Sequence, residues 1–484
     1  MEFLDFSNRQ NRHVRKEDVG ESYLDQMKAK VAEDTNFYPT CHIAAPHGLV
    51  NDPNGLYQDK EGWYHIYYQW FPLGTVHGLK HWAYVKTKDF IHYESYGVKM
   101  YPDQPYDAFG CYTGMAFQEE EQVHLYYTGI RKEGEQLLPS SVHAVIEEGE
   151  IVKTGIIEDV DLTKTTENYR DPFIFKREED YFMIVGAESL TNEGVLWLSK
   201  GRTPTSFERL GTIDLGDYPF GYMLECPNYF EEKDYGVMLF SPQGIQAVDP
   251  YDFQNVFSVI YAVGQPLDTE KRVFHYETIY ELDKGFDFYA PQIFTDQQGR
   301  KLLYGWLGNS KTAYPSDDYQ WAHMLTIPRE ITVENQRILQ QPIAEWEQMR
   351  GKKSLQVTEK TLTNKAFELV IPASELFKLI IKNEKNECLV FSSQSNEYCL
   401  DRSQTTHLYN DQYGQQRLAI RQVETMHDVR IIVDHSSIEI FADNGLTVFT
   451  GRFYLEGEWS LEVQGTSVMH YELRGLSTVQ KATY

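Results

Sequence analysis

The sequence predicts an all-β protein, a five-bladed β-propeller followed by a C-terminal β-sandwich, and three observations predict it. From about residue 38, short aromatic and β-branched runs alternate with Gly, Pro, Asp and Asn, the pattern of strands joined by tight turns. One kind of run recurs five times before Arg329. Beyond it the chain turns to evenly spaced alternating strands of the kind that build a sandwich.

Taken in order, residues 1–37 form an N-terminal extension. Within it, 16–33 carries Tyr23 or Leu24, Met27 and Val31 at helical spacing, which predicts one short amphipathic helix packing on the main domain, with no chemistry of its own. The recurring runs are Tyr64–Trp70, His124–Gly129, Tyr181–Gly186, Tyr235–Ser241 and Lys301–Trp306. Their starts lie roughly 54 to 66 residues apart, which suits one four-stranded blade per run. A large single sandwich or barrel is the competing reading. The propeller is expected over 38–335, a connector over 336–355 and the sandwich over 356–484, with Asp443-Asn444-Gly445 as a hairpin turn.

The chain has 484 residues, enough for several domains and a sizeable core. Its 45 Lys and Arg stand against 72 Asp and Glu, a formal charge of −27. Such a surface repels phosphate backbones and anionic lipid, so nucleic acid and membrane are not expected partners. A small phosphorylated molecule is still possible, because a local basic cluster outweighs the global field at short range. The five Cys are scattered without a CxxC pair, and the first twenty residues lack the apolar run of a secretion signal. Both point to free thiols and a cytoplasmic location. Monomer and homodimer are both compatible with the sequence.

Three acids sit in rigid settings beside proline: Asp52 in Asn51-Asp-Pro-Asn-Gly55, Asp171 in Tyr169-Arg-Asp-Pro172, and Glu225 in Leu224-Glu-Cys-Pro227. Singly, the first reads as a turn, the second as half of a local ion pair with Arg170, and the third as a buried satisfied acid. Together, in separate blades whose strands converge on one funnel, they suit glycoside cleavage. That chemistry needs one nucleophilic and one proton-donating carboxyl, with a third acid to stabilise developing positive charge. No Walker loop, GxGxxG, GxSxG or HExxH is present, and His77 and His81 lie on a strand-loop segment rather than a helical metal face. No metal or cofactor is called for.

These segments, in this order, resemble glycoside hydrolase family 32, the family of invertases, fructanases and sucrose-6-phosphate hydrolases. The likeness extends to Tyr67-Tyr-Gln69-Trp, His77-Gly-Leu-Lys-His-Trp82, Asp287-Phe-Tyr-Ala-Pro-Gln292, Leu325-Thr-Ile-Pro-Arg-Glu330 and Asp434-His-Ser-Ser-Ile-Glu-Ile-Phe441, and so to nearly the whole chain. It implies that Asp52 attacks the anomeric carbon of a β-fructofuranosyl unit and that Glu225 is the acid and then the base. Asp171, with Arg170 beside it, would stabilise the cationic transition state. Asn51 and Gln69 would bond the sugar or the nucleophile, and Trp82, Trp306, Tyr112 and Thr113 would wall the pocket. The sequence departs from the family at Leu49, where Trp is common, and at Tyr112-Thr113, where Phe-Ser is common.

The segment His77-Gly-Leu-Lys80-His-Trp82 resembles the sucrose-6-phosphate hydrolase subgroup. There Lys80 is expected on the leaving-group side, receiving a 6-phosphate on the glucose unit. A solvated loop lysine is the bland alternative. An intracellular sucrase, a short-fructan hydrolase, an arabinan-cleaving propeller and a non-catalytic sugar-binding propeller are the other functional readings.

Overall fold

A computed structural model describes residues 3–247 and 249–481. The N-terminal extension begins with a 3-10 turn over Arg9–His13, followed by helices over Lys16–Val19 and Glu21–Val31. The single expected helix is broken because Gly20 adopts φ +72°, the left-handed region in which glycine costs least. Tyr23, Leu24 and Met27 bury their side chains on Phe71, Leu73 and Leu79.

Five sheets follow between residues 48 and 342. Their first strands are Gly48–Gln58, Cys111–Glu119, Thr165–Arg177, Met223–Glu232 and Tyr289–Thr295. The five recurring aromatic runs are the second strands of these sheets, each antiparallel to its first strand. Each first strand packs beside the next, and the fifth returns beside the first, so the five close a ring.

Every first strand slips register at the same point. The slips fall between Val50 and Pro53, Cys111 and Gly114, Arg170 and Phe173, Glu225 and Asn228, and Tyr289 and Gln292. A β-bulge bends its strand and re-aims a side chain. Three of the bulges hold a non-glycine residue at positive φ directly before a proline: Asp171 (68°), Cys226 (48°) and Ala290 (45°). The proline disfavours the right-handed α region for the residue before it and favours an extended one, so the left-handed kink is imposed by the strand's surroundings. Such a backbone costs on the order of 1–3 kcal/mol per residue, and surrounding structure must hold it.

The connector expected over 336–355 is mostly sheet. Arg329–Glu334 and Arg337–Pro342 form a hairpin in the fifth sheet around Asn335 and Gln336, both at positive φ as a two-residue turn requires. Arg350–Val357 is already an edge strand of the C-terminal unit. That unit is two six-stranded sheets. One of its strands, Glu397–Gln404, has no counterpart in the sequence reading. Its inward positions include Arg402, a charge where an apolar residue is expected, and Arg402 is buried against Asp287. Ser477–Gln480 leaves the sandwich and pairs in parallel with the His92–Met100 strand of the first sheet, so the C-terminal unit does not run unbroken to the end of the chain.

The two parts share one core. Trp70, Tyr304 and Leu325 from the sheets before residue 342 cluster with Ile432, Phe441 and Leu473 from the sandwich. A buried polar seam runs beside it. Asp434 accepts from the backbone N–H of Thr40 and Cys41 and from His42 Nδ1 (2.8 Å). Glu439 meets His42 Nε2 (3.0 Å), the N–H of Ile327 and Arg329 Nη2 (2.5 Å).

Candidate active site

The bulges place Asn51-Asp52, Tyr112-Thr113, Arg170-Asp171, Glu225-Cys226 and Tyr289 around one cleft of about 500 Å³. Asp52 and Asp171 are 8% and 4% exposed, so their carboxylates sit at its floor. The site is a product of the repeated bulge, because an unbroken pleat would alternate these side chains between faces.

Asp52 is held by four donors. Asn51 Nδ2 lies 3.1 Å from Oδ1, Gln69 Nε2 lies 3.3 Å from Oδ2, and Thr113 Oγ1 and the Cys226 thiol also reach Oδ2. The Asn51 amide is oriented by Lys80, whose Nζ donates to Asn51 Oδ1 at 2.6 Å, and by Gln69 Oε1, which accepts at 2.9 Å. Burial raises the Asp52 pKa more than the donors lower it, and the Glu225 charge adds to the rise.

Asp171 accepts on Oδ2 from the Cys226 N–H (2.9 Å), while Oδ1 is buried with no partner among the described residues. Its carboxyl is pushed up to about 7, by burial above all; Arg170 opposes the rise, and Glu225 and Asp52 add to it. Burial also raises the Cys226 thiol, which therefore stays an S–H donor between Asp171 Oδ2 (3.5 Å) and Asp52 Oδ2 (3.8 Å).

Glu225 is clamped on both oxygens. Arg170 donates to Oε1 from Nε and Nη2 (2.9 and 2.7 Å), and Gln243 Nε2 and the Tyr289 hydroxyl donate to Oε2, each at 2.6 Å. Burial holds Tyr289 protonated, so it remains a donor. Arg170 is itself braced by Asn168 Oδ1.

Asn51, Asp52, Gln69, Lys80, Tyr112, Thr113, Arg170, Asp171, Glu225 and Trp306 all line the cleft. Two expectations need correction. Trp82 does not line it. The ring is fully buried one strand outward from its cross-strand partner Gln69, and its Nε1 donates to Tyr112 O, so it supports the wall from behind. Nor is Lys80 a solvated loop lysine. It is 3% exposed at the floor and points at Asn51, and burial pushes its pKa down to about 7.

Cys226, Gln243, Tyr289, Asn168 and His77 line the cleft as well, as do Arg9, Arg12 and His13 of the N-terminal turn. A sequence signal existed for the bulge residues. The pairs Asp52-Pro53, Thr113-Gly114, Asp171-Pro172, Cys226-Pro227 and Ala290-Pro291 repeat once per sheet, so Tyr289 was findable by alignment with Glu225. No local pattern marked the arginines.

Chemically, the cleft offers three carboxyl groups, one clamped by a cation, and one acceptor with no partner among the described residues. The glycosyl hydrolases family 32 N-terminal domain matches residues 42–342, and the family's C-terminal domain matches 334–474. The chain is 36% identical over 473 residues to a sucrose-6-phosphate hydrolase of Vibrio alginolyticus, covering 97% of both. It is 32% identical over 447 residues to one of Bacillus subtilis, covering 89% of this chain and 91% of the relative. A sucrose-6-phosphate hydrolase structure from Lactobacillus gasseri superposes with a TM-score of 0.90 at 26% identity, over 97% of this chain and 99% of that one.

Proposed function

This chain belongs to glycosyl hydrolase family 32, and from that premise we propose that it hydrolyses the β-fructofuranosidic bond of sucrose 6-phosphate, and of sucrose, with retention. The observation that carries the reading is the meeting of Asp52, Asp171 and Glu225 in one cleft, with Asp171 Oδ1 lacking a partner among the described residues and so able to accept from a sugar hydroxyl.

Asp52 attacks C2 of the fructosyl unit while Glu225 gives its proton to the departing glucosyl oxygen. Water activated by Glu225 then cleaves the fructosyl ester. Asn51, Gln69 and Thr113 fix the attack angle of Asp52, and Lys80 fixes Asn51. Asp171 stabilises the cation through the ring hydroxyls, because a ketose offers no aldose-type 2-hydroxyl for that purpose. Arg170, Gln243 and Tyr289 hold Glu225 in place.

The five sheets are read as five propeller blades, which accounts for five bulges aimed at one centre. The five cysteines form no disulfide, which suits a cytoplasmic enzyme acting on a substrate phosphorylated at entry.

Glu225→Gln tests the acid. With sucrose 6-phosphate, kcat falls about a thousandfold, since general acid catalysis contributes roughly 10²–10⁴. With β-fructofuranosyl fluoride, whose leaving group needs no proton, the fructosyl-transfer step loses far less. Equal losses on both substrates contradict the role.

A further inference from the structure

The N-terminal turn carries a group of cations in an otherwise acidic protein. Residues 6–16 hold Arg9, Arg12, His13, Arg15 and Lys16 and no acid, in a chain of formal charge −27. Arg9, Arg12 and His13 line the same cleft as the three carboxylates. Neither arginine has an ion-pair partner among the described residues, although most other arginines here do.

The turn is anchored. Asn8 caps it by accepting from the Gln10 N–H, and Leu79 N–H donates to Arg12 O at 2.7 Å, fastening it to the loop that carries His77 and Lys80. Phe6 packs edge-on to Phe71 and His13 edge-on to Phe109. Arg12 Nε donates to Phe6 O at 3.2 Å, which fixes the stem, and among the described residues neither terminal nitrogen has a partner. Across the wall, His77 Nε2 is buried without a partner among the described residues while the ring packs edge-on to Trp306. Burial, then the charges of Lys80, His323, Arg12 and Lys311, hold His77 neutral.

An arginine fork at the cleft with no ion-pair partner among the described residues matches a phosphate dianion. Lys80, the cation first expected to read phosphate, is occupied with Asn51 at the floor. We infer that the Arg9–His13 turn is the phosphate-reading part of the site, with Arg12 and Arg9 gripping the 6-phosphate of the glucosyl unit as the fructosyl unit lies on Asp52 and Asp171. This rests on the reading of the substrate as a hexose phosphate ester. It gives the extension, which supplies no catalytic group, the task of choosing the substrate.

The test compares kcat/KM for sucrose 6-phosphate with kcat/KM for sucrose, in the full chain and in Arg9→Ala, Arg12→Ala and the double variant. The inference expects this ratio to fall about tenfold per arginine, mainly through KM, with Arg12→Lys recovering part of it because charge remains without the fork. Inorganic phosphate is expected to compete with sucrose 6-phosphate in the wild type, and more weakly in the double variant. Exposed Arg9 makes no side-chain hydrogen bond or ion pair among the described residues, so Arg9→Ala reads the phosphate even where the double variant misfolds. A ratio within about twofold of wild type in folded variants overturns the inference and leaves the substrate reading standing. A wild-type enzyme with no preference for the phosphorylated sugar overturns the substrate reading, and the inference with it.

Discussion

Asp171 and Asp434 are both almost wholly buried acids, at 4% and 0% exposure, and they are treated in opposite ways. Asp171 lies with Asp52 and Glu225, keeps one oxygen unpartnered, and burial pushes it up to about 7. Burial pushes Asp434 up as well, yet the His42 hydrogen bond and charge, with backbone donors, bring it net below its ordinary value. Glu439 follows Asp434: burial is outweighed by the Arg329 charge and the His42 bond. Within the cleft Asp171 thus keeps one oxygen for substrate to complete, while Asp52 and Glu225 are held by donors; the seam between the two parts satisfies both its acids. A buried carboxylate with an open oxygen, as at Asp171, is the one that points to a ligand.

The largest expected effect on this contrast comes from the seam. Asp434→Asn leaves a protonated His42 short of its counter-charge, and removing one partner of a buried pair costs about 3–5 kcal/mol. Unfolding monitored by denaturant should show that loss, with kcat intact in the protein that remains folded. A kcat loss without a stability loss would place Asp434 on the wrong side of the comparison.

Next in size is a pH slope. Burial alone lowers His42, but its bonds to Asp434 and Glu439 raise it to about 9 from the ordinary 6.5. A raised histidine contributes stability fully below about 6.5 and loses it as pH climbs through 9, on the order of 3 kcal/mol in total. Tm should therefore fall between pH 7 and pH 9.5 in the wild type, and His42→Gln should flatten that fall. An unchanged slope in the variant contradicts a charged His42.

The smallest effect has the opposite sign. Asp171 binds its proton more tightly folded than unfolded, so its ionised form works against folding above about pH 7, and the penalty vanishes at low pH where both states are protonated. Asp171→Asn should raise stability at pH 8 by about 1–2 kcal/mol while activity drops steeply. Destabilisation at pH 8 would mean Asp171 is a structural acid like Asp434.

The contrast also explains what could be read from residues alone. Proline-flanked acids announce a rigid backbone, so Asp52, Asp171 and Glu225 were legible, as were the five aromatic second strands. The motif acids Asp287 and Asp434 looked equally prominent, yet Asp287 accepts from Tyr409, Arg402 and the Arg452 N–H at the junction with the sandwich. A sequence shows where an acid is fixed but not whether its acceptors are filled, because the donors arrive from strands more than a hundred residues away. Trp82 misled for a similar reason: Tyr112 of the adjacent sheet covers it. The Arg9–His13 turn was illegible because only its folding back onto Leu79 brings it to the cleft.

The central claim is that Asp52 is the group that becomes bonded to the sugar. Glu225→Gln incubated with β-fructofuranosyl fluoride should accumulate the intermediate, since the fluoride leaves unaided while the water step loses its base. Rapid acid quench, proteolysis and mass spectrometry should then find one fructosyl unit on the peptide spanning Gly48–Gln58, localised to Asp52, and none in Asp52→Asn with the same substitution. A fructosyl group on another acid, or turnover with no adduct while product still forms, would contradict the double displacement on which the reading of the cleft depends.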